Sequence, residues 1–170
     1  MSMIGNYLRI TPLELDRARK DPDWAMEYAE DLEDAEIDEP ESPDGQLAAD
    51  RLHRTDRTWD ALRYLLERAG CPVNVVHGEE EFTEEDWGYG PAFLLTPEQV
   101  ASGSAFLSGL PFEGLIRDVT AADLAAADLY PQGGWDDPGS LDHLRRYYED
   151  LVGYFAEANR TGDAMVLWLS

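Results

Sequence analysis

Apolar residues recur along this chain in two periods, and the switches between them mark out its elements. Residues 3–10, MIGNYLRI, carry Ile4, Tyr7, Leu8 and Ile10 and predict a strand, with Gly5 marking a bulge or a close backbone approach. Thr11-Pro12-Leu13-Glu14 follows: a threonine cap, a proline in the first helical position and a glutamate three residues after the cap form a capping box that starts a helix. From Pro22, Trp24, Tyr28, Leu32 and Ala35 make an apolar stripe at helical spacing. The pattern lapses over Glu39 to Gln46, where two prolines and a glycine predict an exposed loop. Residues 55–69, TDRTWDALRYLLERA, predict the clearest amphipathic helix, with Trp59, Leu62, Leu65, Leu66 and Ala69 on one face and Gly70 and Pro72 stopping it.

In the second half, the β-branched Val73, Val75 and Val76 predict a short strand before Gly78, and Phe93-Leu94-Leu95 predicts another. Thr96-Pro97-Glu98-Gln99 repeats the capping box, and Thr120 to Asp123 predicts a further helix start. PQGGWDDPGS at 131–140 reads as a loop. Leu141, Leu144, Tyr148, Leu151, Phe155 and Ala158 then space a long helix that ends near Gly162. The closing run AMVLWL at 164–169 is apolar throughout, as in a strand buried on both faces. The expected architecture is α+β: one compact domain over 1–170, mostly helical, with a small sheet that includes the N- and C-terminal strands.

Four stretches taken together, MSMIGNYLRIT, TWDALRYLL, GYGPAFLLTPEQV and the closing helix, turn and apolar strand, make a pattern that resembles the YfbM-like family of small bacterial proteins of unknown function. The resemblance spans nearly the whole chain, and GYGPAFLLTPEQV is its most specific part. It implies a compact α+β fold and supplies no reaction, cofactor or catalytic residue.

Charge changes the picture most. With 13 basic and 36 acidic residues the formal net charge is −23, a field that repels nucleic acid and anionic membranes and favours a basic protein or peptide as partner. The charge is uneven. Residues 21–50 hold 13 acids and no Lys or Arg, 51–68 hold five arginines against three acids, and EEEFTEED forms a second acidic block at 79–86. Two readings stand: a solvated surface whose acids pair internally with those arginines, or a docking surface at about 30–50 for a basic partner. No run of 18 apolar residues exists, the N-terminus lacks a signal-peptide layout, and the single Cys71 forms no internal disulfide, so a cytoplasmic protein is expected.

Catalytic signatures are sparse. His53, His77 and His143 lack zinc-ligand spacing, and Asp34, Glu36 and Asp38 are followed by Glu39 where a calcium loop requires glycine. Cys71 follows a helix C-terminus, where the dipole disfavours a thiolate. No serine sits in a nucleophile elbow, and no glycine-rich phosphate loop with lysine exists, Lys20 being the only lysine. No cofactor, metal or assembled catalytic set is expected. The remaining candidates are aromatic residues in glycine-containing loops: Trp87, Tyr89, Tyr130 and Trp135, with Asp86, Asp136 and Asp137 beside them. Were these loops to converge, they would form a pocket with aromatic walls and an acidic rim, suited to a cationic or sugar-like ligand. Two functions follow: a non-enzymatic binding protein using its acidic surface, inhibitor- or immunity-like in one form, or a small-molecule-binding protein or enzyme using the GYGP and PQGGW loops.

Overall fold

The computed structural model describes residues 2–170. In chain order its elements are β1 (Gly5–Ile10), α1 (Pro12–Lys20), α2 (Pro22–Asp38), α3 (Pro43–Arg51), β2 (Leu52–Asp56), α4 (Trp59–Ala69), β3 (Glu80–Glu81), β4 (Phe93–Leu95), α5 (Pro97–Ser108), α6 (Phe112–Leu115), α7 (Ala121–Ala126), α8 (Ser140–Thr161) and β5 (Ala164–Leu169). The strands form one antiparallel sheet in the order β2-β1-β5-β4-β3. The two terminal strands pair along their whole length, from Gly5 opposite Leu169 to Ile10 opposite Ala164. β5 lies mid-sheet with helices over both faces, which is why its sequence carries no polar alternation.

Strand alternation splits the core in two. Leu8, Ile10, Val166 and Trp168 face α1, α2 and α3, packing on Leu15, Ala18, Ala25, Ala29, Leu32 and Ala48. Tyr7, Met165 and Leu167 face the other way, onto α4 to α8 and the larger cluster built on Leu62, Leu65, Leu107, Leu144, Leu151 and Phe155. The α+β architecture with paired terminal strands is as the sequence predicts, and Thr11 and Thr96 each close their capping boxes. The bulge also falls at Gly5, where the register against β2 shifts. No helix of the described residues is long and apolar enough to cross a membrane.

Three local expectations are corrected. Residues 39–46 are not loop throughout. Ser42 caps α3 by accepting from the Gly45 N–H at 3.0 Å, with Pro43 in the first helical position, the same helix-starting chemistry as Thr11-Pro12. The amphipathic helix does not begin at Thr55: residues 52–56 form β2 along the free edge of β1, and α4 starts at Trp59, where the apolar stripe itself starts. Val73, Val75 and Val76 are buried but form no strand. The Asn74 side chain accepts from the Val76 and His77 N–H groups at 3.3 and 2.9 Å, a local turn that competes with strand pairing.

Candidate functional site

Of the 13 acids in residues 21–50, only Glu33, Glu36 and Asp50 meet an arginine among the described residues. Arg54 takes Glu36 at 2.9 Å and Glu33 at 4.0 Å, and Arg9 takes Asp50 at 3.4 Å. Of the other arginines of 51–68, Arg51 pairs with Glu14 and Arg63 with Asp60 and Glu67 of its own helix, while Arg57 and Arg68 form no ion pair among the described residues. Internal pairing therefore leaves most of the acidic segment uncompensated.

The uncompensated charge is organised by α2. Asp23, Glu27, Glu30, Asp31, Asp34 and Asp38 are all exposed, and at 3.6 residues per turn they fall within an arc of about 100° along a helix about 25 Å long. None of the six forms an ion pair among the described residues. Like charges stand four apart at Asp23–Glu27, Glu27–Asp31, Glu30–Asp34 and Asp34–Asp38, each pair opposing the helix by about 0.2–0.5 kcal/mol. The last turn has no basic residue, so Asp38 also meets the negative end of the helix dipole. Packing of Ala25, Ala29 and Leu32 into the core holds α2 in place despite this. In the second acidic block two acids are tied into the fold, Glu80 pairing with Arg19 at 2.8 Å and Glu79 accepting the Asn74 N–H at 2.7 Å. Glu81 at the end of β3 and Glu84, Glu85 and Asp86 on the irregular segment after it are exposed and do not share a helix face.

Beside the C-terminal half of α2 lies a groove of about 470 Å³, bounded by the ends of β1 and β2 and by Tyr147 of α8. Its walls are Ile4 and Ile37, the latter 74% exposed, and its polar lining includes Asn6, Glu33, Arg54 and Asp56. Asp56 adopts a left-handed backbone (φ 50°) at the end of β2 and accepts the Tyr147 hydroxyl at 3.3 Å. Burial, reinforced by neighbouring Glu30, Glu36 and Asp34 and opposed by Arg54, raises the Glu33 carboxyl above the usual glutamate range. Glu33 and Ile37 lie in the acidic segment that the sequence marked at about 30–50, whereas Ile4, Asn6, Arg54, Asp56 and Tyr147 did not stand out as a site. The signal was there in the acids at helical spacing on α2 and in Ile37, which falls outside the apolar stripe of its helix.

The aromatic candidates are dispersed. Trp135 is buried, its indole N–H donating to the Pro131 carbonyl at 3.1 Å, and it lines a cavity of about 440 Å³ with Asp56, Arg57, Asp137 and His143. Asp136 is exposed beside it, outside that lining. Tyr130 precedes the loop and works as a clamp: its hydroxyl accepts the Met3 N–H at 2.7 Å and its ring stacks on Trp59 at 5.5 Å. Trp87 is buried in the opposite core cluster against Trp168 and Phe82. Tyr89, 40% exposed, lines a separate cavity of about 80 Å³ with His77 and Phe93. The GYGP turn docks on the end of β5, the Tyr89 N–H donating to the Leu169 carbonyl at 2.9 Å. Gly88 there has φ 136°, and a Cβ on it would lie 2.5 Å from that same carbonyl oxygen. The two loops thus serve different cavities.

Among the described residues no three of His, Cys, Asp and Glu gather as a metal set, and burial raises the Cys71 thiol pKa, away from a reactive thiolate. The model of a family described as a domain of unknown function, DUF1877, matches residues 1–168. The chain belongs to the DUF1877 family. Among solved structures, this DUF1877 chain is similar to the protein of unknown function YfbM from Escherichia coli, with a TM-score of 0.64 and 16% identity over 98% of this chain and 99% of that one. That likeness shows a shared fold. No curated protein matches.

Proposed function

We propose that this DUF1877 protein is a binding module that docks a basic segment of a partner protein along the acidic face of α2. One observation carries the reading: six exposed carboxylates share one helix face with no ion pair among the described residues, and their mutual repulsion four residues apart, with Asp38 in the last turn, opposes the helix bearing them. A basic partner relieves that repulsion on binding and gains long-range attraction from a chain of net charge −23. An inhibitor- or immunity-like role, in which the face masks a basic site on another protein, is one form of this function. A bacterial cytoplasm is the setting the reading takes, consistent with a single free cysteine.

Fluorescence anisotropy of a labelled oligolysine peptide tests it. Binding is expected at low salt, weakening steeply as salt rises and when Glu27, Asp31, Asp34 and Asp38 are changed to their amides. Neutralising Glu81, Glu84, Glu85 and Asp86 should matter far less. Equal losses from both sets would show a diffuse field and no docking face.

A second reading rests on the 440 Å³ cavity beside Trp135, whose size suits a small ligand and whose lining offers Asp56, Arg57, Asp137 and His143 as polar groups. A thermal-shift screen of sugars, nucleotides and metals checks it, since a ligand of the folded state must raise the unfolding temperature. No shift with any of them removes this reading.

A further inference from the structure

We infer that the groove beside α2 is the anchor point of the docking face and takes an arginine side chain of the bound segment. The inference rests on the proposal that α2 docks a basic segment, and it adds which residue type is read and where.

Asn6 points to a ligand rich in hydrogen-bond donors. It is 3% exposed and lines the groove. Its Nδ2 donates to the Ile4 carbonyl at 2.9 Å, to the Ser170 hydroxyl at 2.9 Å and to the Trp168 carbonyl at 3.5 Å. Two of these acceptors are carbonyls, which cannot donate, so the carboxamide is held with nitrogen towards them. Its Oδ1 is then left over, and among the described residues nothing donates to it. Among the described residues the buried side-chain atom without a partner is His53 Nε2, so Asn6 Oδ1 is an acceptor left open at the groove and not a sealed orphan.

The other polar groups of the groove ask for the same thing. Asp56 uses Oδ2 to accept from Tyr147, has no cation against it among the described residues, and keeps Oδ1 free. Glu33 has only Arg54 near it, at 4.0 Å, while that guanidinium donates to Glu36 at 2.9 Å. The groove therefore offers three acceptors, two of them carboxylates, and its one cation is already engaged. Ile4 and Ile37 supply apolar walls for an aliphatic stem, and the Tyr147 ring supplies a flat surface.

A side chain with an aliphatic stem and a planar, permanently charged head carrying five donors answers all of these features, and that is arginine. A lysine brings the charge but fewer donors and no plane to stack. A free guanidino compound shares the head-group chemistry. The occupant is instead a segment of polypeptide, because Ile37 stands on α2 between Glu33 and the acidic arc, so the groove and the row of carboxylates form one continuous track. Only an extended chain engages both.

The test compares labelled oligoarginine and oligolysine peptides of equal length against wild type, Asp56→Asn, Ile37→Ser, and Glu27→Gln/Asp31→Asn. Asparagine tolerates the left-handed backbone at position 56, and position 37 is solvent-exposed, so the groove variants are expected to fold. Wild type should prefer oligoarginine by about tenfold, the size of one charge-assisted hydrogen bond. Both groove variants should erase most of that preference and leave oligolysine affinity close to wild type, whereas Glu27→Gln/Asp31→Asn should weaken both peptides alike. Free arginine amide in excess should displace neither peptide from the α2 row. If both peptides bind equally well and the groove variants change nothing, the anchor is overturned while the docking face stands. If neither peptide binds wild type at low salt, the docking face falls and the anchor with it.

Discussion

α2 and α4 cover opposite faces of the same sheet, and they treat charge in opposite ways. On α4 Asp60, Arg63 and Glu67 are paired along the helix, and Glu67, placed against the dipole in the last turn, is offset by Arg63. Asp60 occupies the first turn and Arg68 the last, and Arg63 bridges Asp60 at 2.7 Å and Glu67 at 2.9 Å along the helix. Asp60 also accepts the Tyr130 N–H at 2.8 Å, fastening the loop before α8. On α2 six exposed acids share one face with no ion pair among the described residues, standing against one another and, at Asp38, against the dipole. α4 spends its charges on folding, whereas α2 holds its charges free at some expense of stability. That difference is the reason to assign the binding role to α2.

The comparison breaks most visibly in the core. Leu62 on α4 is fully buried, and Leu62→Ala should lower the unfolding free energy by about 2–5 kcal/mol in a denaturant titration. Ile37→Ala on α2 should stay within about 0.5 kcal/mol of wild type, since that side chain faces water. Next in size is Asp60→Ala, which removes the acceptor of both Arg63 and the Tyr130 N–H and should cost about 1–3 kcal/mol.

Smaller, and opposite in sign, are the α2 variants. Asp34→Asn and Asp38→Asn should each stabilise by about 0.3–1 kcal/mol at low ionic strength, an effect that fades as salt is added. Destabilisation by either would mean that these carboxylates have structural partners after all. The smallest effect is a pH slope. Burial and neighbouring acids hold the Glu33 carboxyl above its usual range, so between the ordinary glutamate value and that raised value the folded state binds more protons than the unfolded one. Glu33 thus favours stability below its unfolded pKa, and that contribution is lost as pH rises through the folded one. Glu33→Gln should flatten this part of the stability–pH curve.

Much of the fold was legible because it is written locally. Thr11-Pro12 and Thr96-Pro97 each carry their whole capping box within four residues, and the stripe on α8 repeats over many turns. The misses have two causes, a partner distant in sequence for β2 and local side-chain chemistry that the valine pattern does not carry for 73–77. β2 is a strand because β1 offers it a free edge, and residues 73–77 turn because the Asn74 side chain accepts the Val76 and His77 N–H groups. The first cause also holds for the candidate site. The acidic segment could be read from composition, but the groove joins Ile4 and Asn6 to Glu33, Asp56, Tyr147 and Ser170, a set that only the pairing of the terminal strands assembles. The aromatic loops share a composition but lie on different parts of the sheet, and composition carries no information about which face a loop caps.

The most direct test of the central claim is an NMR titration of the labelled 170-residue protein with an arginine-rich peptide, following backbone amide shifts residue by residue. The account predicts changes concentrated on the exposed face of α2 and on the groove at Ile4, Asn6, Ile37 and Asp56, with α4 and residues 79–86 unmoved. Shifts spread evenly over every acidic region, or centred on residues 79–86, would contradict it.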